Sequence, residues 1–320
     1  MPTRQPLSRL RSAALCTLWC CSLAGTAVQA TPRIEVMFDD PGALYSAWYG
    51  DLSQATLAAG NLWLASFADL AGNADLAVRI GFAPIATATG RSTSAAWLGT
   101  ASNGMRLYEQ GAAHELLTGV DSNGAAADIE FIIGTQGYLQ GELWFDPSPA
   151  LRLQDVPADR TDAVSVLLHE FGHALGFNGW RDGLTGALPG NYQSTFDALV
   201  RTQPTAGGGT GLVFTGARAQ SLYGSALPLT VDNYGHLGND STDAGRELTP
   251  DLMNGWVFYR GSRYEISPLD LQIMADLGMT LAVTAPVPEP ATRALWLAGL
   301  CMGLAVHVQQ QRRRSAALQA

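Results

Sequence analysis

The sequence predicts an α+β fold in one domain over residues 31–284, with a first half (31–177) of strands and helices and a mostly irregular second half (178–284) closed by a helix. Three observations predict it. Short apolar runs with two-residue alternation recur at Arg33–Phe38, Asp75–Phe82 and Ala127–Ile133. Stretches with helical spacing separate or follow them at 53–68 and 161–175. Beyond Asn178 the chain turns glycine-rich and aperiodic, until Ser267-Pro268-Leu269-Asp270 sets out a helix start.

In order along the chain, the first strand stops at the turn Asp39-Asp40-Pro41-Gly42. Ser53 is a candidate cap for a helix to about Ala68, with Leu57, Leu64 and Phe67 on its inner face. Thr161 opens the second helix through Ala163, Val164, Val166, Leu167 and Leu168 to Leu175, and Gly176 ends it. The half from Asn178 to Gly235 centres on Gly207-Gly208-Gly209. In the closing helix Leu269, Ile273, Met274 and Leu277 share a face, and Gly278 terminates it.

Charge separates the ends from the body. The chain has no lysine; all 28 acidic residues lie between Glu35 and Glu289, and residues 31–290 hold 12 of the 19 arginines, so this body carries a net charge near −16 while both ends are basic. An acidic body excludes nucleic acid as a partner, because binding it needs a basic face that displaces counterions. Residues 1–30 read as a secretory signal peptide: Arg4, Arg9 and Arg11, then apolar residues from Ala13 to Ala24, then the small-residue site Val28-Gln29-Ala30. The four cysteines (Cys16, Cys20, Cys21, Cys301) all fall in the ends, so the body has neither disulfides nor a thiolate site.

Residues 285–320 form a tail. Val287-Pro288-Glu289-Pro290 precedes the apolar stretch Ala294 to Val308 and the cluster Arg312-Arg313-Arg314. As a helix that stretch rises about 22 Å, short of a bilayer core of about 30 Å. This order of parts resembles the PEP-CTERM sorting signal of Gram-negative bacteria. The resemblance implies an exosortase-type processing partner and transient anchoring in the inner membrane through the tail. It also implies a final place at the cell surface or in the extracellular matrix. A retained transmembrane helix with the same topology is the alternative.

The chemistry lies in His169-Glu170-Phe171-Gly172-His173. Four residues apart on a helix, His169 and His173 share a face and can ligate one metal ion, with Glu170 beside it as general base toward a water that zinc acidifies. Zinc needs a third ligand. Of five histidines, His307 belongs to the tail, leaving His236 or His114 unless a carboxylate such as Asp197 serves. His236 lies in the glycine-flanked loop Tyr234-Gly235-His236-Leu237-Gly238, suited to carry a ring toward a distant site; His114 has the look of an ordinary surface or core histidine.

Extended to His169-Glu170-Phe171-Gly172-His173-Ala174-Leu175-Gly176-Phe177, the string resembles the metzincin zinc metallopeptidases, whose helix ends at a glycine before the chain returns with a third histidine. The usual third position holds Gly179 here. A long insertion before His236 instead resembles the leishmanolysin-like branch. The likeness covers roughly residues 160–280. It implies a metzincin-like fold with a twisted mixed sheet, His236 as third zinc ligand, Gly176 as the turn of the helix end, and Met253 in Glu247–Gly255 as the apolar floor of a Met-turn. It further implies an exported metalloendopeptidase acting on protein or peptide, with a cleft between the two halves. The chain departs from that branch in lacking body cysteines and room for a prodomain, which excludes a cysteine latency switch. The alternative is an inactive peptidase-like scaffold serving as a surface or matrix binding protein.

Weaker signals remain. Asp121-Ser122-Asn123-Gly124 with Asp128, and Asn239-Asp240 with Asp243, are candidate calcium loops, although turns use the same residues. Trp144, Phe145 and Trp180 are candidate cleft aromatics.

Overall fold

The structure is a computed structural model that describes residues 32–204, 210–238, 247–256 and 258–282. The signal peptide, the tail, the Gly207–Gly209 centre and the Asn239/Asp240/Asp243 loop lie outside the described residues. The described part is a mixed α+β protein.

Strands β1 (Arg33–Asp39), β2 (Asp75–Ala83), β3 (Ala88–Ser92), β4 (Ala95–Thr100), β5 (Arg106–Gln110) and β6 (Ile129–Gly134) alternate with helices α1 (Tyr49–Ala65) and α2 (Gly111–Thr118). The main sheet runs β1-β2-β6-β3. Its first three strands are parallel, and β3 pairs antiparallel with β6 as the edge strand. All three predicted strands stand in it, while β3, β4, β5 and α2 come from a stretch whose short, weakly alternating segments gave no period. Strand β7 (Leu143–Trp144) pairs with β8 (Thr161–Asp162), and helix α3 (Ala163–Ala174) follows directly.

Helix α3 is buried along all 12 residues, because α1, the main sheet and the second half enclose it. The Trp63 indole N–H of α1 donates to the Leu168 carbonyl at 2.9 Å, and Phe131 of β6 meets Phe171 edge-on at 4.9 Å. Two expectations are corrected here. Helix α1 begins at Tyr49, without a side-chain cap, and buries Leu52, Ala55, Ala59 and Trp63; Leu57 faces outward. The alanine-rich side is the inner one because it lets α1 lie close to α3. Helix α3 is capped by Asp162, whose carboxylate accepts from Ser165 N–H at 3.1 Å and Ser165 O–H at 2.7 Å. Arg152 at 2.9 Å and Arg263 at 3.6 Å compensate that buried charge.

The second half is less irregular than its composition predicts. Strand β9 (Tyr192–Ser194) joins β5 and β4; β10 (Val200–Pro204), β11 (Thr210–Phe214) and β12 (Leu227–Pro228) form an antiparallel sheet; and helix α4 (Ala217–Tyr223) packs on α5 (Pro268–Asp276). Helix α5 opens as predicted, with a reciprocal capping box between Ser267 and Asp270 and Pro268 in its first turn. Among the described residues no helix is long and apolar enough to cross a membrane.

A candidate metal centre

The end of α3 aims the first two histidines. Phe177 N–H bonds back to the Gly172 carbonyl at 2.9 Å and Gly176 N–H to the His173 carbonyl at 3.2 Å, a Schellman turn with Gly176 at φ +134°. This turn brings the Phe177 carbonyl to His173, whose Nδ1–H donates to it at 2.8 Å. His169 Nδ1–H donates to the Leu252 carbonyl at 2.7 Å. Both rings therefore carry their proton on Nδ1 and present a bare Nε2.

His236 arrives from a loop stitched at both ends. Thr230 N–H donates to the His236 carbonyl at 3.0 Å and Thr230 O–H to the Leu237 carbonyl at 2.7 Å. Leu237 N–H donates to the Met253 carbonyl at 2.9 Å and Gly255 N–H to the Leu237 carbonyl at 3.1 Å, which ties the loop to the 252–255 segment. The result is a triangle of Nε2 atoms with sides of 3.1, 3.0 and 3.0 Å (169–236, 169–173 and 173–236).

A cation fits this donor set. The point equidistant from the three nitrogens lies about 1.8 Å from each in their plane, close to zinc–imidazole bonds of about 2.0–2.1 Å. Three lone pairs face one another, and protonation is no remedy in so buried a place. Burial, then repulsion from His173 were both rings to charge, pushes His169 down to about 3; burial pushes His173 down to about 4. His236 is held well below its usual value by burial, then by His173 and His169.

Met253 is fully buried beneath the helix. Its sulfur lies where a Cβ on Gly172 would come within 2.6 Å, so glycine at 172 is what lets it under the ligand turn. Glu170 is buried as well. Burial pushes its carboxyl up to about 8, opposed by a bond from the Gly90 N–H of β3. A cation at the histidines would oppose that rise further. Gly90 is obligatory too: a Cβ there would sit 2.6 Å from both Cβ and the backbone oxygen of Glu170.

The cluster opens on a cavity of about 930 Å³ between the two halves. It is bordered by Ala88–Gly90, Gln136–Tyr138, Tyr234–His236 and Asn254–Trp256. Tyr138, which the sequence reading did not single out, enters on the turn after β6; burial, then the carboxylates of Glu170 and Glu142, push its phenol further up, keeping the O–H a donor. The signal that marks it is Gly137, at φ +83°, three residues past the end of apolar strand β6.

The structure thus brings together His169, His173 and His236, with Glu170, Met253 and Gly176 around them, and leaves other candidates elsewhere. Asp197 is no ligand. Its carboxylate accepts from Trp180 N–H at 2.9 Å and Ser194 O–H at 2.9 Å and lies 3.5 Å from Arg181, anchoring β9. His114 on α2 pairs with Glu109 at 3.0 Å. The three expected cleft aromatics do not border the cavity: Trp144 lies under Arg263, Phe145 against Trp48, and Trp180 against Tyr108 and Tyr192. Trp256, Tyr234 and Phe258 do border it. No family model matches the chain, and no curated protein or solved structure matches it significantly.

Proposed function

We propose that this protein is an exported zinc-dependent metalloendopeptidase of metzincin type, related in plan to the leishmanolysin-like branch. The observation that carries the reading is the Nε2 triangle of His169, His173 and His236, with Glu170 one residue from the first ligand. The Schellman turn at Gly176 and the buried Met253 support the family plan. Export, processing of the tail by an exosortase and a place on a Gram-negative cell surface rest on the two ends of the sequence.

The histidines would hold zinc, which when bound supplies Lewis acidity toward a scissile carbonyl and a water. Glu170 takes a proton from that water as its oxygen adds to the carbonyl carbon, then delivers the proton to the amine nitrogen as the C–N bond breaks. Tyr138 offers an O–H at the same cavity for the developing negative charge on oxygen. The edge strand β3 borders the cavity, so an extended peptide can pair along it while Trp256 packs on a side chain.

The test compares the purified protein with Glu170→Gln on casein, with bound zinc measured in both. Full zinc in both and a loss of about 10²–10⁴ in kcat for the variant is the expected result. Equal activity, or no activity in either protein despite bound zinc, overturns the peptidase reading and leaves a binding scaffold.

A further inference from the structure

A second group of potential ligands sits at the other end of the main sheet. Glu115 of α2, Asp121 of the following loop and Asp128, just before β6, place one carboxylate oxygen each within 4.8 Å of one another. Strand β6 separates them from the histidines, since Asp128 precedes its first residue and Tyr138 follows its last. Such a cluster is unremarkable when solvated. This one is not. Glu115 is 5 % exposed, and its Oε2 is sealed from water with no hydrogen-bond donor.

The three acids share one design. Glu115 Oε1 accepts from Asp75 N–H at 3.2 Å. Asp128 Oδ2 accepts from Ala77 N–H at 2.8 Å. Asp121 Oδ1 accepts from Asn123 and Gly124 N–H at 2.8 and 2.7 Å. In each, the backbone holds one oxygen, and the second oxygen of Glu115 is bonded to no N–H or hydroxyl. Among the described residues no arginine pairs with any of them. We propose that Glu115, Asp121 and Asp128 bind a hard divalent cation of the calcium class, with the exposed side of Asp121 left to water ligands.

An all-oxygen, triply anionic set suits calcium rather than the histidine-seeking metals. The site clamps α2 and the starts of β2 and β6 together, a task disulfides cannot do in a body without cysteine. Without a cation, burial and then the charges of Asp128 and Asp121 push Glu115 up to about 7. The rival occupant is therefore a proton shared between Glu115 and Asp128.

The experiment titrates calcium chloride into zinc-loaded, calcium-stripped protein by calorimetry and follows the melting temperature. One calcium per chain, with a dissociation constant between about 10⁻⁷ and 10⁻³ M and a rise in melting temperature, is expected. Asp121→Asn, which keeps the turn on an exposed loop, should weaken binding at least about tenfold; Glu115→Gln should abolish it; His236→Ala should leave it intact. Should Glu115→Gln not fold, Asp121→Asn decides alone. Absence of calcium binding in the wild type, or equal binding by Asp121→Asn, overturns the proposal. A Glu115→Gln protein that melts higher than a calcium-indifferent wild type assigns the pocket to the shared proton instead.

Discussion

Replacing His236 with alanine separates a three-ligand metal centre from a chance meeting of histidines. In the metal-free protein the change costs little, because removing Nε2 relieves a lone-pair confrontation at 3.0 and 3.1 Å. The free melting temperature should shift by no more than about 1 kcal/mol allows. With zinc the balance differs. An ion present at 100 times its dissociation constant stabilises the folded chain by about 2.7 kcal/mol. For a body of this size that is about 5–11 °C in melting temperature. Two imidazoles cannot replace three, so this gap should all but vanish in His236→Ala. Differential scanning calorimetry with zinc and with chelator, alongside zinc content by mass spectrometry, reads both quantities. A zinc-dependent gap of unchanged size in the variant would refute the ligand assignment, as would a wild type that zinc leaves unmoved. Asp197→Asn is the control: it should lower stability through Trp180, Ser194 and Arg181 while full zinc content is kept.

Asp162→Ala removes the α3 cap and one carboxylate from Arg152 and Arg263, which keep Glu265 and Asp146 as partners, so denaturant unfolding should show a loss of roughly 1–3 kcal/mol. Gly90→Ala must push β3 from the backbone of Glu170; we expect a loss of about 1–3 kcal/mol and of about 10²-fold in kcat, with zinc retained. Asp270, wholly buried, is held well above its usual value by burial, then by Asp251. The folded state therefore keeps a proton that the unfolded state releases near 3.8, and stability falls as pH rises from there, by at most about 1.4 kcal/mol per pH unit. Asp270→Asn mimics the protonated form and should flatten that fall; an unchanged pH slope would contradict it.

The strands at Arg33, Asp75 and Ala127, the helix bearing His169 and His173, and the capped closing helix were legible because each is a local pattern. Alternation, four-residue spacing and a Ser-Pro-Leu-Asp start act within one or two turns of chain. Local pattern also chose His236 over His114, through its glycine flanks. What it could not decide is which side of a weakly amphipathic helix faces inward: α1 buries alanines, not Leu57, because its neighbour α3 demands close approach. The antiparallel pair β10 and β11 hid in a glycine-rich stretch because strands of five residues are too short to show a period. Residue type alone left Asp197 open as a third ligand, whereas its carboxylate is taken up by Trp180, Ser194 and Arg181. Residue type and spacing on one helix set His169 and His173 on one face with Glu170 beside them. The third nitrogen 3.0 Å away, the Met253 sulfur against Gly172 and the Gly90 contact to Glu170 came from segments 63 to 81 residues apart, which only tertiary packing brings together.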